Sequence, residues 1–157
     1  MTKSARSARV TIGWREWIEL PDLTHLPIKA KVDSGARTSA LHAQGLAVAD
    51  VDGVPTATFS LLPHQRSSAD AVVVEIPVER YSRVRSSNGK VETRPVIRTR
   101  ARVGGIEWSI EVTLTSRPQM GFRMLLGRSA LKRDFLVNPG RSFLASDTPP
   151  ASRGVRQ

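Results

Sequence analysis

The chain has 157 residues and a formal net charge of +10, and 39% of its residues are hydrophobic, enough for one domain with a modest core. Nineteen of the 24 basic residues are arginine, which suits partners carrying carboxylates or phosphates. There is no cysteine, which excludes disulfides and thiol chemistry, and no run approaches the roughly 18 apolar residues of a membrane helix.

Residues 1–9 are basic and polar with no apolar run behind them, so no signal peptide is expected and a cytoplasmic protein is the default. They read as a disordered basic arm, residues 10–144 as one folded domain, and residues 145–157, with Pro149-Pro150, as a disordered tail. Strand-like patterns cover residues 10–20, 27–32, 54–62 and 71–85. Asn88-Gly89 and Gly104-Gly105 mark two hairpins. After the second, Ile106, Trp108, Ile110, Val112 and Leu114 alternate with Glu107, Ser109, Glu111 and Thr113, the mark of a half-buried strand. Residues 128–134 read as a short helix, and residues 135–137 and 142–144 as closing strands. The expected fold is a small closed all-β domain with one short helix near its end.

Asp33-Ser34-Gly35-Ala36 interrupts an apolar strand with a tight turn, holding a carboxylate where the Ser34 hydroxyl and backbone N–H groups can support it. Two carboxylates about 3 Å apart cannot both ionise, so they share a proton and activate a water between them. One is the base toward the water; the protonated one polarises a peptide carbonyl. The chain holds no second Asp-Ser/Thr-Gly: Asp52-Gly53 lacks the hydroxyl residue, and Asp147-Thr148 runs into Pro149. Aspartic chemistry therefore requires a homodimer that sets Asp33 against Asp33 of a second copy.

About ninety residues later, Leu125-Leu126-Gly127-Arg128 opens the helix. This pairing resembles the retropepsins, the single-domain aspartic proteases of retroviral type. Residues 13–17 (GWREW), 29–43 (KAKVDSGARTSALHA) and 122–128 (FRMLLGR) are similar to the bacterial retropepsin-like family of RimB type, also labelled an ATP-dependent zinc protease family. The resemblance implies a retropepsin-like acid-protease barrel and a homodimeric aspartic endopeptidase. Asp33, Ser34 and Gly35 are then catalytic, with Ser34 bonding across the twofold axis and Gly127 and Arg128 supporting the site. It also implies, for some members, trimming of glutamate tails that a RimK-type ligase adds to a ribosomal protein. The zinc and ATP label finds no support: His25, His42 and His64 lie apart without metal-ligand spacing, and no Gly-rich phosphate loop exists, so no metal or cofactor is expected. His42 reads as structural or cleft-lining.

The arginines divide into two groups. Arg98, Arg100 and Arg102 share a strand face, and a two-residue turn at Gly104-Gly105 sets Arg102 opposite Glu107 and Arg98 opposite Glu111, ordinary cross-strand pairs. A two-residue turn at Asn88-Gly89 sets Arg85 opposite Glu92 and Arg83 opposite Arg94, an unfavourable pair unless acid lies near. In the retropepsin reading this hairpin is the flap over substrate, and Ala36, Arg37, Arg83, Asn88, Gly89 and Arg94 line the substrate side. Viral enzymes carry an acid after Asp-Thr/Ser-Gly-Ala; here Arg37 stands there, which removes the usual partner of Arg128 and favours an acidic, glutamate-rich peptide. The alternative is a non-catalytic basic β-module that binds RNA, the ribosome or acidic peptides. Nucleic acid is the weaker candidate, because aromatic content is only 5% and Trp14, Trp17 and Trp108 read as core or interface anchors.

Overall fold

The computed structural model describes residues 9–85, 88–116, 121–131 and 133–146, so most of the expected frayed ends lie outside the described residues. The expected first strand breaks at Trp14 into β1 (Val10–Gly13) and β2 (Arg15–Ile18). Next come β3 (Ile28–Asp33), β4 (Ser39–His42), β5 (Gln44–Val51), β6 (Val54–Leu61), β7 (Val72–Pro77) and β8 (Arg80–Arg85). The chain ends through β9 (Val91–Val103), β10 (Ile106–Thr115), β11 (Met124–Gly127), the one-turn helix α1 (Arg128–Leu131) and β12 (Phe135–Asn138). The helix is shorter than expected, because residues 133–134 already turn toward β12.

The all-β class holds, but the sheets do not close into a barrel. Seven strands form one sheet in the order β2-β3-β11-β4-β10-β9-β8; β5-β6-β7 form a second, and β1 pairs in parallel with β12. The β2 end of the large sheet meets β9, the strand next to its other end, at an isolated bridge, where Glu19 and Arg102 exchange backbone hydrogen bonds of 3.0 and 2.9 Å. Beyond it β9 continues into the hairpin with β8 rather than along β2, which is why closure fails.

The core explains which strands tolerate two-sided burial. In β10 the expected alternation holds only as far as Ile110; from Val112 onward both faces are buried, because β4 pairs alongside in parallel. Thr113 is tolerated there because its hydroxyl donates to the Ser39 carbonyl at 3.1 Å. Ile28, Ala30, Val32, Leu41, Ile97, Val112, Leu114, Met124 and Leu126 pack behind the large sheet.

Residues 142–144 form no strand. They are held instead by Glu16, a fully buried carboxylate on the inward face of β2. Its oxygens accept the N–H groups of Gly13 (2.7 Å), Leu144 (2.8 Å) and Ala145 (3.2 Å) and the Ser146 hydroxyl (2.5 Å). Four donors compensate the desolvation of one buried charge and tie the chain's end to its beginning. Glu16→Ala strands those donors and is expected to cost about 3 kcal/mol of unfolding free energy, read from urea melts.

Candidate active site

Asp33 is the last residue of β3, and its neighbour across the sheet is Gly127. Strand β11 lies between β3 and β4, parallel to the first and antiparallel to the second, so the segment 34–38 must arch over its end. The arch is narrow. A Cβ at position 127 would stand 2.5 Å from the Thr38 carbonyl carbon and oxygen and 3.0 Å from the Ala36 oxygen. Glycine is required here by close approach of backbones, not by an unusual φ.

The turn is fixed from inside and outside. Within it, the Ala36 N–H donates to the Asp33 carbonyl at 3.1 Å, and the Gly35 N–H donates to Asp33 Oδ1 at 3.0 Å. From across the sheet, the Gly127 N–H donates to the buried Ser39 hydroxyl at 3.0 Å. The first N–H groups of α1 donate to the turn: Arg128 N to Ala36 O at 2.8 Å and Ser129 N to Arg37 O at 3.2 Å. Donors left over at a helix start are thereby satisfied by the arch. The Arg128 guanidinium donates to the Gly35 carbonyl at 3.3 Å, so the backbone takes the place of the missing acidic partner.

The result is a half-buried Asp33 carboxylate with one oxygen bonded and the other taking no hydrogen bond from a described residue. Ser34 and Gly35 are exposed, and the Ser34 hydroxyl makes no hydrogen bond within the described residues, so support comes from backbone N–H alone. Arg37 is exposed on the same arch. His42, at the end of β4, is buried; burial first and the nearby Arg123 charge second hold its imidazole below its ordinary pKa. A recess of about 450 Å³ lies elsewhere, against α1, between Arg98, Trp108, Glu111 and Arg133. Among the described residues no three His, Asp or Glu side chains group as a metal site.

The Asn88-Gly89 hairpin exists, with the Gly89 φ at 87° and Lys90 N–H donating to Asn88 Oδ1 at 3.1 Å. Its register differs from the expected one. Arg85 pairs with Val91 rather than Glu92, so Arg83 opposes Thr93 and Arg94 opposes Ser82. This one-residue shift puts Arg83 and Arg94 on opposite faces. Arg94 is buried and bound to Glu92 at 2.7 Å, the acid expected opposite Arg85, whereas Arg83 is exposed. Ser39 and Thr38, which the sequence reading passed over, do as much to place the turn as Gly127. A hydroxyl residue within a few positions of Asp33 was the only available sign.

An all-β domain whose Asp-Ser-Gly-Ala turn is clasped by a distant Leu-Leu-Gly strand and a short helix defines a protein of the retropepsin-like acid-protease class. The chain belongs to the RimB-like family, described as retropepsin-like aspartic endopeptidase RimB, whose family model matches residues 11–148. It is 44% identical over 132 residues to a protein of Shewanella halifaxensis, and 41% identical over 139 residues to one of Parasynechococcus marenigrum, each named probable alpha-L-glutamate ligase. These matches cover 84% and 88% of this chain but only 29% and 30% of those proteins. A crystal structure of a Legionella pneumophila protein of unknown function (DUF785) is 26% identical with a TM-score of 0.71, covering 86% of this chain and 97% of that one. No helix among the described residues is long and apolar enough to cross a membrane.

Gly127→Ala is expected to push β11 away from the arch of residues 36–38 and lower stability by about 2–4 kcal/mol, measured by urea unfolding. Gly35→Ala, with only the Asp33 carboxylate at 3.3 Å from its added Cβ, is the milder change.

Proposed function

We propose that this chain is an aspartic endopeptidase, active as a homodimer, that cleaves acidic, glutamate-rich peptide tails. The observation that carries the reading is the Asp33 turn, rigid in its backbone yet open at its carboxylate. A twofold axis at that turn brings two Asp33 side chains together, and the pair shares one proton. The ionised member takes a proton from water, and the protonated member donates to the scissile carbonyl as the water oxygen attacks. The hydroxyl of Ser34, without a partner within the described residues, is available to bond across the axis. The hairpin of β8 and β9, with Asn88-Gly89 at its tip, acts as the flap.

Two observations support an acidic guest. Arg37 is exposed beside Asp33 while its carbonyl is held by Ser129, and Arg83 is exposed on the flap. Relatives of this domain occur within longer proteins named for glutamate ligation, which makes a glutamate-bearing substrate the natural class. That ligase name belongs to proteins of which this chain spans about 30%, and the chain offers no Gly-rich phosphate loop for carboxylate activation. The non-catalytic RNA-binding reading loses its main support, because the β9 arginines are paired with acids.

Asp33→Asn is expected to reduce cleavage of a peptide bearing a glutamate tail by at least about 10³-fold, followed by mass spectrometry of products. Arg37→Ala is expected to lose about tenfold of the preference for that peptide over a neutral one. Cleavage that persists in Asp33→Asn would sink the aspartic reading.

A further inference from the structure

The arginines and lysines of the two halves of the large sheet are treated differently. On the outer face of β9 and β10 every basic residue is matched. Arg80 and Arg98 bind Glu111 (2.7 and 2.8 Å), Arg100 binds Asp22 and Glu107 (2.5 and 3.0 Å), and Arg102 binds Glu19 and Glu107 (2.6 and 3.2 Å). On the outer face of β2 and β3 none is. Lys29 and Lys31 alternate outward along β3, with Arg15 directly opposite Lys31 and Trp17 opposite Lys29. Like charges directly opposite are destabilising. Arg66, exposed on the loop after β6, adds a further charge, and no acid pairs with Arg15, Lys29, Lys31 or Arg66 among the described residues. Burial, and then the charges of Arg15 and Arg66, hold the Lys29 ammonium below its ordinary pKa, which records how crowded the patch is.

The same face of β3 ends at Asp33. Lys29, Lys31 and Asp33 occupy its three outward positions in turn. An extended peptide that leaves the Asp33 turn along β3 presents alternate side chains at the strand's own repeat, about 6.6 Å for two residues. Carboxylates at that spacing meet Lys31 and then Lys29. The aromatic residues here are already engaged: Trp17 is stacked on Phe143 with Lys29 over its ring, and Trp14 meets Phe122 edge-on with Arg15 above. They leave no bare platform for stacked bases, which favours an acidic peptide over single-stranded nucleic acid.

We propose that the outer face of β2 and β3, with Arg15, Lys29, Lys31 and Arg66, is a second anion-binding surface that holds an extended acidic peptide beyond the catalytic turn. It rests on the peptidase reading only for the direction in which the guest leaves Asp33. Its role is to retain the far part of a tail while the near part is processed.

The test uses the full chain carrying Asp33→Asn and a fluorescein-labelled deca-glutamate peptide, with binding followed by anisotropy at low salt. Adding Lys29→Gln, Lys31→Gln and Arg66→Gln together is expected to raise Kd about tenfold, with a shallower salt dependence. Lys31→Glu alone, at an exposed position where folding is not at stake, is expected to weaken binding by a similar factor. An unchanged Kd in either variant overturns the proposal. So does tighter binding of a labelled single-stranded decanucleotide that the triple substitution abolishes, which would reassign the face to nucleic acid. If wild type fails to cleave the peptide while the substitutions still weaken binding, the surface stands and the peptidase reading falls. If wild type cleaves and the substitutions leave Kd unchanged, the reverse holds.

Discussion

Strand β11 sits between two strands that are consecutive in the chain, and the rest of the site follows from that placement. Because β3 and β4 are separated by β11, the residues joining them cannot make a tight hairpin and must cross over the end of Gly127. Crossing at contact distance leaves no room for a side chain at 127. It also brings the Ala36 and Arg37 carbonyls within reach of the first N–H groups of α1. The turn is therefore not a flexible loop carrying a carboxylate. Each of its backbone groups that bonds to α1 or Asp33 removes freedom from the segment that carries the carboxylate.

Charge is arranged with the same economy. A net charge of +10 suggests a uniformly basic molecule, but the β9–β10 arginines are cancelled by Glu19, Asp22, Glu107 and Glu111. These pairs are exposed and contribute little to stability individually. Their effect is to neutralise the outer face of β9 and β10, while Arg37, Arg83 and the face of β2 and β3 keep cations with no acid partner among the described residues. The basic composition thus marks particular surfaces rather than a general affinity for polyanions.

What was legible in the sequence was local. The Asp33 turn, the Gly104-Gly105 hairpin with its Arg102–Glu107 and Arg98–Glu111 pairs, and the short helix at Arg128 each follow from adjacent residues. What was not legible was distant or a matter of parity. The Ser39–Gly127 hydrogen bond joins residues 88 positions apart, and its only local sign is a hydroxyl residue a few positions after Asp33. In the β8–β9 hairpin the pairing lies one position away from the expected register, which puts Arg83 and Arg94 on opposite faces. Asp52-Gly53, which lacks the hydroxyl residue of a catalytic turn, has φ values of 51° and 84° and is the turn joining β5 to β6. The expected barrel closure failed for a long-range reason: β9 pairs with both β10 and β8, and it meets the β2 side only at the Glu19 bridge.

Arg37 shows how the rigid turn bears on selectivity. Its carbonyl accepts from Ser129 and its neighbours are pinned by Gly127 and Arg128, yet its side chain is exposed. A cation on a fixed backbone reaches a carboxylate at the cost of ordering one side chain only, whereas the same charge on a mobile loop must also order its main chain. Arg94, by contrast, is buried and already bound to Glu92, so its charge is matched within the β8–β9 hairpin. In the proposed peptidase, the position that most readily distinguishes an acidic guest from a neutral one is therefore next to Asp33. On that proposal, selectivity for charge and the geometry for hydrolysis depend on one constraint, the passage of residues 34–38 over Gly127.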